Sequence, residues 1–199
     1  MQHASAPPVF ARQPERDVLP LFVNRWSPRA FRPEPVPRAV LESMAEAARW
    51  APSSINLQPW RFFVASEGPA RDLWNTAVGE RNRLWSDQAG ALAWVVARRT
   101  LGPNPFHPPE APNRHAWFDT GMAAIQFVLE GERHGVKSHF MGGVDAAKAH
   151  ALLGLAPDEE VVCAIAVGYP ADPATLPEGL RAREHPSGRK PLADVAHFA

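Results

Sequence analysis

Apolar positions along the chain follow two periods. Val40, Leu41, Met44, Ala47, Ala48 and Ala51 recur at three- and four-residue steps, which predicts a helix with one buried face. Pro37 falls near its first turn and Pro52 ends it. Residues 17–24 form a shorter helix candidate, with Pro20 tolerable in the first turn. Residues 69–88 read as one or two helices, weakened in the middle by Gly79. The strongest helix spans 117–134 and is apolar on much of its surface, which predicts a central position. Gly121 within it suggests close approach of another backbone, and Gly135 is suited to cap its C-terminus. A short helix capped by Asp145 is expected to stop at Gly154.

Three runs have strand length: 61–65, the unbroken apolar 91–97, and 161–167. Residues 100–114 carry five prolines and no period, the kind of long irregular segment that covers a site or an interface. Beyond residue 170 the period is lost. Leu192, Val195 and Phe198 are spaced as in a terminal arm that docks on another surface, such as a second copy of the chain. The expected organisation is a flexible tail over 1–12, one domain over 13–199, and a C-terminal arm over about 171–199.

At 199 residues the chain can bury a substantial core. Lys plus Arg and Asp plus Glu each number 21, so net charge offers no case for nucleic acid or an acidic membrane. Arg far outnumbers Lys, which favours planar, bidentate recognition of anions at particular sites. The single cysteine, Cys163, excludes an intrachain disulfide and lies in an apolar run, where a buried inert thiol is expected. No window reaches the length of a membrane span, and residues 1–12 lack the apolar centre of a secretory signal. A cytoplasmic protein is the expectation. His107 and His115 have no cysteine or carboxylate at ligand spacing, so no metal site is expected.

Two polar stretches carry candidate chemistry. Arg25-Trp26-Ser27-Pro28-Arg29 brackets a hydroxyl with two guanidiniums, which reads either as a phosphate clamp or as a pair of solvated surface charges. Pro52-Ser53-Ser54-Ile55-Asn56-Leu57-Gln58-Pro59 holds hydroxyls and carboxamides between prolines. It suits a neutral, planar, heteroatom-rich ligand, or it is an ordinary connector satisfying its own backbone. Gly142-Gly143 would let backbone approach a ligand without side-chain collision, although it is neither a dinucleotide fingerprint nor a P-loop.

Taken together, Arg25-x-Ser27-x-Arg29-x-Phe31 and Ala51-Pro52-Ser53-Ser54-x-Asn56-x-Gln58-Pro59-Trp60 resemble the opening signature of FMN-dependent nitroreductases. The resemblance continues in order through Asp119-Thr120-Gly121, Gly142-Gly143-x-Asp145, Gly168-Tyr169-Pro170 and Gly188-Arg189-Lys190-Pro191-Leu192. It implies an α+β, three-layer α/β/α fold with a mainly antiparallel sheet. It also implies a homodimer with FMN at the subunit interface and a C-terminal arm reaching the partner. By that resemblance Arg25, Ser27, Arg29 and Arg189 would hold the phosphate and ribityl, with Trp26 and Lys190 beside them. Pro52, Ser53, Ser54, Asn56 and Gln58 would meet the isoalloxazine bound mainly by the other protomer. Met141, Gly142 and Gly143 would lie near its N5 edge, and Asn82 near its pyrimidine edge. Some members carry a basic residue where Ser187 stands, and some carry lysine near the position of Trp85.

The implied activity is ping-pong reduction of nitroaromatic or quinone-like acceptors by NADH or NADPH, with the flavin rather than a side chain carrying the chemistry. Reduction of an activated alkene or aldehyde, a flavin-binding protein without turnover, and an interaction domain without cofactor are the competing readings.

Overall fold

The computed structural model describes residues 12–199. Its centre is a four-stranded sheet in the order β1-β2-β4-β3, formed by β1 (Trp60–Ala65), β2 (Ala91–Arg98), β3 (Lys137–Met141) and β4 (Glu159–Gly168). All three neighbouring pairs are antiparallel. Helices cover both faces, so the three-layer α/β/α architecture expected from the resemblance is the one observed.

The layers follow from side-chain alternation along the central strands. On β2, Ala91, Ala93 and Val95 face a core built with α2 (Arg38–Arg49) and α5 (Ala116–Arg133). Leu92, Trp94 and Val96 face the opposite core, with α3 (Gly68–Asn75), α4 (Glu80–Ser86) and α6 (Ala146–Leu153). Both faces of β2 are buried, which explains its unbroken apolar run. β4 carries a bulge opposite Val95 and Val96. Val162 and Cys163 therefore pack toward the same layer, whereas Val161 and Ala164 serve the other. One extra residue reverses the alternation, as a bulge must.

The helix boundaries have local causes. α1 (Pro20–Asn24) is shorter than the 17–24 stretch expected, because Pro20 can occupy only its opening position. α3 and α4 are separate helices, divided ahead of Gly79. α5 ends in a Schellman turn: Gly135 takes φ +70°, Gly135 N–H donates to Glu132 O, and Val136 N–H donates to Gly131 O. Asp145 caps α6 by accepting from Lys148 N–H at 2.9 Å, and Gly154 closes it in the left-handed region. Strand β3 was not anticipated. Its sequence, Lys-Ser-His-Phe-Met, mixes polar and apolar residues without strict alternation, and pairing to β4 decides it. Gly121 shows no close approach within this chain: a Cβ there would meet nothing within 4 Å.

The register places the arginine stretch. Phe31 forms an isolated antiparallel bridge with Pro170, flanked by Arg32 N–H to Tyr169 O and Ala171 N–H to Ala30 O. Residues 25–29 are thereby fixed just beyond the end of β4. Gly168 is small for a packing reason, since a Cβ there would lie 3.0 Å from the Phe31 ring and 2.9 Å from Gly90 N. Residues 100–114 are irregular, as expected, but ordered by backbone bonds from Leu101 to Ala111 and Gly102 to Pro109. Among the described residues no helix is long and apolar enough to cross a membrane.

Phe127 is fully buried and stacks on Phe62 across the α5–β1 contact, with ring centroids 5.1 Å apart. Phe127→Ala is expected to cost about 3–5 kcal/mol of stability, and exposed Leu84→Ala less than about 0.5 kcal/mol; urea unfolding of both variants checks the contrast. Burial pushes the Cys163 thiol up to about 12. The native protein is therefore expected to resist a thiol reagent at pH 8 and to react with it when unfolded. Rapid labelling of the folded chain would contradict that placement.

Candidate functional site

A cavity of about 400 Å³ opens where the 25–29 turn, strand β3 and the C-terminal segment meet. Five arginines line it: Arg12, Arg25, Arg29, Arg183 and Arg189. Trp26, Ser27, His139, His185 and Ser187 complete the wall, and none of the residues lining it is acidic. The sequence expectation for Arg25, Trp26, Ser27, Arg29 and Arg189 is thus met in one respect: the fold brings them together.

The lining is strongly positive, with the Glu184 carboxylate 4.0 Å from Arg29 Nη1. Burial and the Arg189 charge push the Arg25 guanidinium down from its ordinary value. Burial and Arg183 do the same to Arg29, against the opposing pull of Glu184. His139 is also pushed down, chiefly by burial and secondarily by Arg29 and Arg183, which favours neutral imidazole. Its Nδ1 donates to Pro28 O at 2.9 Å, and its ring lies against Trp85 with centroids 4.5 Å apart. A strand residue therefore holds the arginine turn from below. An anion entering this cavity would find guanidinium and hydroxyl donors, with no carboxylate in the lining and Glu184 bonded to backbone amides.

Other contacts set the turn from two sides. Arg12 donates to Val23 O at 2.9 Å and Arg25 O at 2.7 Å. Glu184, its side chain 2% exposed, accepts from Arg29 N–H at 2.8 Å and from Ala30 N–H at 2.8 Å. Arg25 approaches Ser27 Oγ at 3.5 Å, and Arg189 reaches Ser187 Oγ at 3.2 Å. Lys190 lies elsewhere. It lines a neighbouring cavity of about 690 Å³ with Val18, Phe22 and Leu192, not the one that holds Arg25.

At the far end of β3 the side chain of Met141 packs in the core, leaving only backbone to face outward. Gly142 is exposed, and a Cβ there would meet nothing within 4 Å, so its backbone is open to a ligand. Gly143 is tied to α4: its carbonyl accepts from Gly79 N–H and from Asn82 Nδ2, both at 3.0 Å. Asn82 thus lies beside the glycine pair. From His139 to Gly142 is three residues, about 10 Å at the rise of a strand.

The 52–58 loop is strained. Ile55, Asn56 and Gln58 all take positive φ, at 42°, 57° and 49°. A β-branched residue such as Ile55 is a true outlier there, and such strain costs about 1–3 kcal/mol per residue and collects at ligand sites. Ser54 N–H donates to buried Asp119 Oδ2 at 3.0 Å and Gln58 N–H to Ser53 Oγ at 3.0 Å, while bonds from Gln58 Nε2 to Asn56 O, Asn56 N–H to Ser53 O and Leu57 N–H to Ser54 O close the loop on itself. Pro52, Asn56 and Gln58 are exposed, and none of residues 52–58 lines the arginine cavity of the same chain.

Residues 23–169 match the nitroreductase family. The chain belongs to that family. Among nitroreductase relatives, a NADH dehydrogenase of Thermus thermophilus is 31% identical over 211 residues, covering 93% of this chain and 97% of its own. The chloronitrobenzene nitroreductase of Comamonas testosteroni is 34% identical over 91 residues, 46% of this chain and 37% of that protein. The crystal structure of an oxidoreductase containing FMN superposes with a TM-score of 0.89 at 36% identity, covering 94% of this chain and 93% of that one. The family match starts after Arg12 and ends before the arm, so Arg12, Arg183 and Arg189 lie outside the matched span.

Sequence reasoning left out Arg12, Arg183 and His139 of the cavity lining, and Glu184, which binds the turn that carries Arg29. Arg183 is visible only as one of several basic residues in an aperiodic tail, and Glu184 gives no signal without its backbone partners. Asp119→Ala is expected to cost about 1–3 kcal/mol, because Ser54 N–H would lose its acceptor. Amide exchange over residues 53–58 is expected to quicken; unchanged exchange would show that Asp119 does not anchor the loop.

Proposed function

We propose that this nitroreductase-family oxidoreductase binds FMN, takes reducing equivalents from NADH or NADPH, and passes them to flat, electron-poor acceptors such as nitroaromatics and quinones. The observation that carries the reading is the cavity of five arginines without a lining carboxylate. It fits a phosphate dianion, and the open backbone at Gly142 fits a flat ring at the other end of β3. Bound FMN supplies the hydride-accepting ring through which the two half-reactions are coupled.

The chain's own groups bind and orient. Arg25, Arg29 and Arg189 hold the phosphate, and Ser27 adds a hydroxyl donor. His139 fixes the turn by donating from Nδ1 to Pro28 O. Gly142 and Gly143 let the ring approach backbone amides, and Asn82 is held against Gly143. No side chain is required as nucleophile. Fixed donors near the ring stabilise charge as it develops on reduction.

The 52–58 loop serves the cofactor of a second copy in this reading. Its exposed amides do not reach the arginine cavity of their own chain. Trp50, Ile55, Trp117, Phe118 and Ile125 are exposed on the loop and on α2 and α5, which supports a homodimer that covers them. Dimerisation then completes the site.

The purified protein is expected to show flavin absorbance that bleaches under anaerobic NADH or NADPH and returns with a quinone or nitroarene. A panel including an enone and an aldehyde separates the acceptor classes. Arg25→Ala and Arg189→Ala are each expected to weaken FMN binding by roughly 1.5–3 kcal/mol. Full stoichiometric FMN in both variants at low cofactor concentration would remove the phosphate assignment, and a protein that cannot be loaded with FMN would remove the function.

A further inference from the structure

Beside Arg189, the cavity holds a second cation from the C-terminal arm, Arg183. Its charge depresses both Arg29 and His139, so the guanidinium is electrostatically part of the cluster. What keeps it there is the next residue. The Glu184 carboxylate is buried and takes Arg29 N–H through both oxygens, at 2.8 and 3.0 Å, and Ala30 N–H at 2.8 Å. Arg29 Nη1 also reaches back to Arg183 O at 3.4 Å. The arm is thereby stapled, backbone to carboxylate, to the turn that carries the other arginines.

From this arrangement, and resting on the FMN reading above, we infer that Arg183 is a phosphate-binding residue and Glu184 the positioning residue that holds it in the cavity. The two divide the work by chemistry. A carboxylate at the mouth of an anion site would repel phosphate if its lone pairs pointed inward. Here three hydrogen bonds from the backbone N–H groups of Arg29 and Ala30 occupy them, and the Arg29 guanidinium lies 4.0 Å from Oε2. The Arg183 guanidinium is left to the ligand.

The test compares FMN with riboflavin, which has the same ring and ribityl but no phosphate, on the full-length apoprotein. Arg183→Ala is expected to weaken FMN about tenfold to a hundredfold, the range of one charge-assisted contact, and to leave riboflavin affinity unchanged. Arg183→Lys should recover part of the loss. The salt dependence of FMN binding should become shallower in Arg183→Ala, since one cation fewer meets the phosphate. Glu184→Ala should reproduce the FMN-specific loss. The double variant Arg183→Ala/Glu184→Ala should be little worse than either alone, because two residues acting as one unit are not additive. Retained riboflavin affinity shows that the variants still fold. Full FMN affinity in Arg183→Ala, or equal losses for FMN and riboflavin, would overturn the inference. A wild-type protein that fails to prefer FMN over riboflavin would instead overturn the phosphate reading on which it rests.

Discussion

Holding several guanidiniums around one small cavity is the constraint that much of this molecule answers. Like charges disperse unless the backbone forbids it, and here three separate devices do so. The bridge between Phe31 and Pro170 sets the 25–29 turn against the end of β4. His139 on β3 holds the same turn through Pro28 O. Glu184 takes the amides of Arg29 and Ala30 from the arm. Each contact is unremarkable by itself, and each costs little to make. Together they preorganise a positive cavity before any ligand arrives, so the ligand does not have to assemble it.

The second constraint is local strain. Three positive-φ residues in the 52–58 loop are tolerated because Asp119, inside the core helix α5, fixes Ser54. The strained loop and the arginine cavity occupy different parts of one chain. In the proposed reading a second copy would bring its loop to the cavity and would cover the exposed Trp50 after α2 and Trp117, Phe118 and Ile125 on α5.

Much of this was legible in the sequence because the signals were local. Helix α5, its glycine cap, the Asp145 cap and the buried run of β2 all announce themselves through period or cap chemistry. The two polar stretches, 25–29 and 52–58, stand out because uncharged amides and paired arginines are uncommon between apolar elements. Strand β3 was missed because its pattern is not that of a half-buried strand and only pairing defines it. The Met141 side chain packs in the core and Lys190 lines the adjacent cavity. The placement of Arg12, Arg183 and Glu184 near the 25–29 turn was invisible because their partners are distant: Glu184 bonds a turn 155 residues earlier in the chain. Long-range placement of a charge is a property of the fold, not of its neighbours in sequence.

The most direct test of the account is an experimental structure of the protein with FMN bound. The phosphate is expected among Arg25, Ser27, Arg29 and Arg189 of one chain, and the ring beside Gly142 and Gly143, covered by residues 53–58 of a second copy. A flavin whose phosphate lies away from the arginine cavity, or whose ring is enclosed by the 53–58 loop of its own chain, would contradict it.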